Sequence, residues 1–158
     1  MNLLTEQVRR TLWTKINYEW FFGPKWDVPF EWIVLPEPHT RFSLISSWNR
    51  EQEKLVNSFF EELGQEDIYA LDWQHDCFEF SPQERTDLEN HYPADEQETE
   101  VQLPSYFPDG EFHFFIDKNM RYGMFGNPKR KEIVVLGKEL IDLFENNARR
   151  LYISEKAG

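Results

Sequence analysis

The fold is decided by residues 111–136, which read EFHFFIDKNMRYGMFGNPKRKEIVVL. Apolar and polar residues alternate over 111–117, and a period of two is typical of a β-strand. Short polar turns separate this run from two further β-rich runs, 121–125 and 132–136. Three such runs joined by close turns predict an antiparallel meander.

Helices and more strands are expected around this meander. Apolar residues recur at helical spacing over 3–20, over 49–63 and in the segment that follows Leu136. Further strands are expected at shorter runs, namely 31–35, 41–45, 68–73 and 77–80. The sequence therefore predicts an α+β fold, with 1–158 as a single domain and an antiparallel β-sheet with two to three helices packed on one face of it.

The alternation over 111–117 also predicts which side chains are buried. Phe112, Phe114 and Ile116 are expected in the core, while Phe115 is expected to be partly exposed on a solvated face. The other core residues that we predict are Leu71, Phe59, Val135, Leu140 and Phe144.

Composition limits the classes of protein to which the chain can belong. Aromatic residues make up 16% of the 158 residues, which argues against a disordered chain. Cys77 has no second cysteine with which to form an intramolecular disulfide, so a reducing, cytoplasmic location is expected, with Cys77 as a small buried residue. The sequence contains no run of apolar residues that reads as a secretion signal or a membrane span.

Charge is concentrated in one part of the chain. The net charge is −12, and residues 84–111 contain nine acidic residues and one basic residue, a net charge of −8. Such a balance disfavours nucleic acid and anionic membranes as partners and favours a basic protein. Residues 83–105, termed the acidic segment below, show no clear period and are expected to be irregular.

Two pairs of polar residues are the candidates for a catalytic site. Asp72 precedes His75 in a short turn, and Glu111 and His113 lie on the same face of one predicted strand. Carboxylates beside a histidine could hold a metal or transfer a proton. The alternatives are a tight turn at 72–76 and an ordinary solvated strand face. No metal or cofactor motif is present in the sequence, so we expect neither.

The candidates for partner binding are acidic and aromatic. Carboxylates of the acidic segment would meet a basic partner, and they are Asp95, Glu96, Glu98 and Glu100. Trp26, Trp32 and Trp48 lie in loop-like sequence, where tryptophan can serve as an interface anchor or can pack into the core. We assign Trp26 and Trp32 to partner binding.

Two stretches resemble a known family. The first is YALDWQH at 69–75, followed by Phe78 and Pro82. The second comprises FPDGEF at 107–112, GMFGNP at 123–128 and VLGKEL at 135–140. Their order and spacing resemble the bacterial proteins grouped as domain of unknown function 2716. Members tend to have histidine where this chain has Asn127. The resemblance implies a small bacterial domain and assigns no activity.

The sequence favours a protein-binding module over an enzyme. An acidic domain without a familiar catalytic motif suits an immunity or inhibitor protein that acts on a basic partner. The alternative is a small enzyme with an Asp/Glu/His site on the sheet, which requires the strands at 68–73 and 111–117 to be neighbours.

Overall fold

A computed structural model gives the architecture of the chain. It describes residues 2–19, 35–72, 77–84, 91–93, 100–102, 105–108 and 113–156. Three helices lie within these ranges, α1 (Glu6–Glu19), α2 (Arg50–Leu63) and α3 (Lys138–Asn146). The predicted helices are confirmed, although α1 begins three residues later than expected.

A capping box marks the start of helix α2. Asn49 Oδ1 accepts from the backbone N–H of Glu51 at 2.8 Å, and the backbone N–H of Asn49 donates to Gln52 Oε1 at 2.8 Å. This capping box satisfies N–H groups that the first turn of a helix leaves without intrahelical acceptors. Gly64 follows the last turn in an extended conformation.

Within the described residues, eight strands form one antiparallel sheet, and in chain order they are β1 (Asn2–Leu3), β2 (His39–Leu44), β3 (Ile68–Asp72), β4 (Phe78–Phe80), β7 (His113–Asp117), β8 (Gly123–Asn127), β9 (Glu132–Leu136) and β10 (Ile153–Glu155). Across the sheet their order is β1-β4-β3-β7-β8-β9-β2-β10. The remaining two, β5 (His91–Pro93) and β6 (Glu100–Gln102), pair with each other alone. The fold is therefore α+β, and the meander β7-β8-β9 is confirmed.

The acidic segment contains more structure than its sequence predicts. A 3₁₀ turn at Pro82–Glu84 spans its start, and β5 pairs with β6 inside it. The expectation of an irregular segment therefore fails for these residues. The predicted strand at 31–35 lies outside the described residues except for Leu35, which is buried and belongs to no strand.

The sheet is covered on both faces, which corrects the expectation that the helices share one face. Leu12 and Ile16 of α1 pack with Phe114 and neighbouring strand residues on one face. Helices α2 and α3 cover the opposite face through residues that include Phe59 and Phe144. Amphipathic periodicity shows that a helix has a buried side but does not show which face of the sheet it covers.

Phe115 is buried, so the prediction of a solvated strand face is wrong. Only 1% of Phe115 is exposed, and its ring centroid lies 4.3 Å from that of Tyr106. His113 and Asp117 on the same face are buried too. The predicted core residues that the structure describes are all buried, namely Phe59, Leu71, Phe114, Ile116, Val135, Leu140 and Phe144.

Candidate functional site

Asp72 and His113 are brought together by the pairing of β3 with β7. They are directly opposite each other in the register of the two strands. His113 Nε2 lies 3.1 Å from Asp72 Oδ2, and the side chains are 9% and 6% exposed. The enzyme hypothesis requires these two strands to be neighbours, and they are. The other two catalytic candidates, His75 and Glu111, lie outside the described residues.

The other nitrogen of His113 contacts the last residue of the acidic segment. Nδ1 lies 2.9 Å from the carbonyl oxygen of Ser105. Both ring nitrogens therefore have hydrogen-bond partners within the chain. The pair connects the end of β3, the start of β7 and the C-terminal end of the acidic segment.

The residues that follow, 105–108, lie against the α2 side of the sheet. Tyr106 is 1% exposed, and its ring stacks on Phe60 of α2 with 5.8 Å between ring centroids. Pro108 lies over Gly126 of β8, where a Cβ would come within 2.8 Å of the proline Cα. Only glycine leaves room at this position for the backbone to approach so closely.

Asn57 of α2 contacts both ends of the acidic segment. Its Nδ2 donates to the carbonyl oxygen of Pro82 at 2.9 Å, immediately before the segment. Its Oδ1 accepts from the hydroxyl of Tyr106 at 2.8 Å, immediately after the segment. Asn57 is 3% exposed, so both hydrogen bonds form away from solvent, where leaving them unmade is costly.

Two further contacts fix the same ends to α2. Gln83 Nε2 donates to the carbonyl oxygens of Glu61 and Gly64, at 3.2 and 2.8 Å. Glu53, which is 1% exposed, accepts from the backbone N–H of Tyr106 at 3.1 Å. The start and the end of the acidic segment are thus anchored on one helix.

The predicted partner-binding residues fall largely outside the described residues. Trp26, Trp32, Asp95, Glu96 and Glu98 all lie there. The backbone of Glu100 belongs to β6, and its side chain is outside the description.

Trp48, by contrast, belongs to the core. It is 6% exposed, and its Nε1 donates to the carbonyl oxygen of Leu151 at 2.6 Å. The alternative that tryptophans in loop-like sequence pack into the core is therefore confirmed for this residue.

Two other titratable groups have structural roles. Burial raises the pKa of the Cys77 thiol, so Cys77 stays uncharged, as expected of a small buried residue. Burial alone would raise the pKa of Asp117, but hydrogen bonds from the Arg121 side chain and backbone hold that pKa below its usual value. Asp117 is thereby held ionised at the turn between β7 and β8.

Neither a metal cluster nor a membrane-crossing helix is found in the part of the chain that the structure describes. Within it, no three His, Cys, Asp or Glu side chains gather closely enough to hold a metal ion. None of its helices combines the length and apolar character needed to cross a bilayer.

Sequence reasoning missed Glu53, Asn57 and Tyr106. A signal for the first two does exist, because Glu53 and Asn57 are four residues apart and next to the apolar stripe at Val56 and Phe60. Polar residues at that position on a helix are candidates for buried hydrogen bonds. Nothing in the sequence identifies the segments that they bind.

Comparison with known proteins identifies relatives but no activity. A family model described as "Protein of unknown function (DUF2716)" matches residues 3–141. "Uncharacterized protein YxiI" from Bacillus subtilis (strain 168) is 27% identical over 165 residues, covering 94% of each chain. No solved structure shows significant similarity to the chain.

Proposed function

This chain belongs to the DUF2716 family, whose description assigns no function, and from that premise we propose that it is a protein-binding module of the immunity or inhibitor type, acting on a basic partner. The acidic segment supplies the binding surface. The observation that carries the proposal is that Asn57 holds both ends of this segment on α2.

The anchoring matters because the segment is long and highly charged. Residues 83–105 contain seven acidic residues and one basic residue, a net charge of −6. A long segment inside a compact domain is commonly functional. Fixing its two ends, and pairing β5 with β6 within it, reduces the conformational entropy that binding would otherwise remove.

The charge of the segment indicates the chemistry of the partner. Concentrated negative charge attracts a basic surface and accelerates association by roughly 10–10³-fold at low salt. The same field repels nucleic acid and anionic lipid. A basic protein, such as a basic nuclease toxin, is therefore the partner class that we propose.

A second candidate is a small enzyme that uses Asp72 and His113, and the contact between these residues supports it. General acid–base catalysis requires a nitrogen or oxygen that can reach the substrate. Both nitrogens of His113 already have hydrogen-bond partners within the chain, so we rank this candidate second. It also requires His75 and Glu111 to join the pair in one cleft.

The test of the binding module is neutralisation of four carboxylates in the acidic segment. The variant combines Asp95→Asn, Glu96→Gln, Glu98→Gln and Glu100→Gln. The partner is captured from a lysate of the organism that encodes the chain, purified, and its association rate is measured at low and high salt. We expect a basic partner whose association rate falls about tenfold or more in the variant at low salt, because steering scales with charge.

A matched control separates the segment from net charge. The control variant changes four exposed carboxylates elsewhere to Gln, namely Glu62, Glu66, Glu145 and Glu155. It removes the same charge and should reduce the rate far less, since screening confines each charge to about 10 Å at 0.1 M salt. Equal losses in both variants, or a partner indifferent to the four neutralisations, would reject this segment as the interface.

A further inference from the structure

We infer that Asp72 and His113 form a proton clasp, a pair that positions the C-terminal end of the acidic segment by sharing one proton, so that this end is held at low pH and released as the pH rises. The contacts of His113 with Asp72 and with the Ser105 carbonyl carry the inference. Its meaning for binding rests on the proposed function, whereas the clasp itself does not.

The hydrogen bonds of His113 determine how many protons the pair holds. A backbone carbonyl can only accept, so Nδ1 must carry a hydrogen to bond Ser105. An ionised carboxylate also only accepts, so either Nε2 carries a hydrogen or Asp72 is protonated and donates to Nε2. In both arrangements the pair has one proton more than a neutral imidazole beside an ionised carboxylate.

Loss of that proton turns one of the two contacts repulsive. If the neutral ring keeps its hydrogen on Nδ1, the Nε2 lone pair faces the Asp72 carboxylate at 3.1 Å. If the hydrogen moves to Nε2, the Nδ1 lone pair faces the Ser105 carbonyl oxygen at 2.9 Å. Two acceptors cannot stay at hydrogen-bond distance with no hydrogen between them, so the clasp opens.

Because the pair is buried, one of the two His113 contacts must be lost when the proton leaves. Both side chains are at most 9% exposed, so water cannot readily replace the lost contact. Ser105 is the residue that moves most easily, because Asp72 and His113 are held in paired strands of the central sheet. Opening therefore acts on the acidic segment more than on the sheet.

Neighbouring elements bring further polar groups to the clasp. Glu53 of α2 accepts from the N–H of Tyr106, and the Cys77 thiol donates to the Asp72 carbonyl at 3.7 Å. Gly126 of β8 is opposite His113 and brings no charge. Titratable residues outside the described ranges flank the pair in sequence, and they are His75, Asp76, Asp109 and Glu111.

The first measurement uses the wild-type protein alone. Imidazole ¹⁵N shifts report the protonation state of His113 from about pH 5 to about pH 9, the range in which histidine charge generally changes. Amide exchange, expressed as a protection factor, reports how firmly the Tyr106 N–H is held. We expect that protection to fall about tenfold or more as His113 loses its proton, while the protection of the Val134 amide in β9 stays level.

Asp72→Asn is the decisive variant because it should keep the clasp without the extra proton. The amide that it introduces has the size of the carboxylate and can donate to the Nε2 lone pair, while Nδ1–H still donates to Ser105. Protection at Tyr106 should therefore stay high, and independent of pH, in this variant. An ordinary ion pair predicts the opposite, a hold at low pH that is weaker in Asp72→Asn than in the wild type.

Besides a weaker hold in Asp72→Asn at low pH, two results would overturn the clasp. One is a wild-type protection factor at Tyr106 that does not change while His113 loses its proton. The other is a pH dependence in Asp72→Asn equal to that of the wild type. The wild-type measurement decides the matter if the variant fails to fold. Neither measurement involves a partner, so failure of the proposed binding function would leave both unaffected.

Discussion

At the scale of single residues, Phe114 and Phe115 place one large ring on each face of the sheet. Phe114 packs against Trp13 of α1 and Phe125 of β8, with ring centroids 5.6 and 4.4 Å away. Phe115 packs against Tyr106 and Phe80 on the opposite face. Neighbouring residues in the sequence thus support two separate layers of the core.

Truncating either ring should therefore destabilise the fold strongly. We expect Phe114→Ala and Phe115→Ala each to lower the free energy of unfolding by about 3–5 kcal/mol, as a buried aromatic truncation generally does. Urea denaturation measures both. Tyr18→Ala is the control, because Tyr18 is 76% exposed, and it should change the free energy by less than about 0.5 kcal/mol. A loss below about 1 kcal/mol for Phe115→Ala would contradict a packed layer on that face.

The wrong prediction for Phe115 shows how far the burial of a single residue can be predicted from the sequence. The period of two correctly assigns Phe114 and Phe115 to opposite faces of the sheet, and it correctly predicts that Phe114 is buried. It cannot show that the second face is also covered, because that cover comes from Tyr106 and α2, which are distant in the sequence. Residue type finds Asp72 and His113 as candidates, whereas their contact depends on a strand register that the sequence does not reveal.

At the scale of elements, the acidic segment depends on α2 for the position of both its ends. We expect Asn57→Ala to lower the free energy of unfolding by about 1–3 kcal/mol, because it leaves the Pro82 carbonyl and the Tyr106 hydroxyl without their shared partner. Amide exchange should increase at both ends of the segment, around Gln83 and around Tyr106.

Gly126→Ala is the matched comparison for Asn57→Ala. The three heavy atoms nearest to the added methyl group all belong to Pro108, which lies beyond the C-terminal end of the segment. Exchange should therefore increase around Tyr106 and stay unchanged at Gln83. If Asn57→Ala increased amide exchange at one end of the segment only, Asn57 would not be an anchor for both ends.

Elements were predictable where the local signal is strong. The capping box at Asn49 and the apolar run at 132–136 give the bounds of α2 and β9 as they occur. The pairing of β5 with β6 was not predictable, because three-residue strands between acidic residues show no period. The covering of the sheet by helices on two faces requires three-dimensional information that amphipathic patterns lack.

At the scale of the whole molecule, Glu132 joins three parts of the chain. It is 1% exposed, and its carboxylate binds Arg41 of β2 at 2.9 Å and also Lys156, which follows β10. Removing the carboxylate leaves two cations close together without their common anion. The far edge of the sheet, where β9, β2 and β10 lie side by side, is therefore held by charge as well as by backbone pairing.

We expect Glu132→Ala to lower the free energy of unfolding by about 1.5–3 kcal/mol, as loss of hydrogen bonds to a charged group generally does, because the Arg41 and Lys156 side chains are partly exposed. Glu132→Gln keeps an acceptor and should cost less. Urea denaturation gives the free energies, and amide exchange in β10 locates the effect. Equal costs for the two variants would indicate that shape, not charge, is what Glu132 contributes.

The position of β2 between β9 and β10 has a consequence for synthesis on the ribosome. Arg41 and Glu132 are 91 positions apart in the chain, so translation at roughly 5–20 residues per second brings the two together only after about 5–18 s. Until then Phe42 and the hydrogen-bonding edges of β2 are exposed to solvent or to a chaperone. Strand β2 therefore has no neighbour to pair with until synthesis has passed β9, the first of its two partner strands to be made.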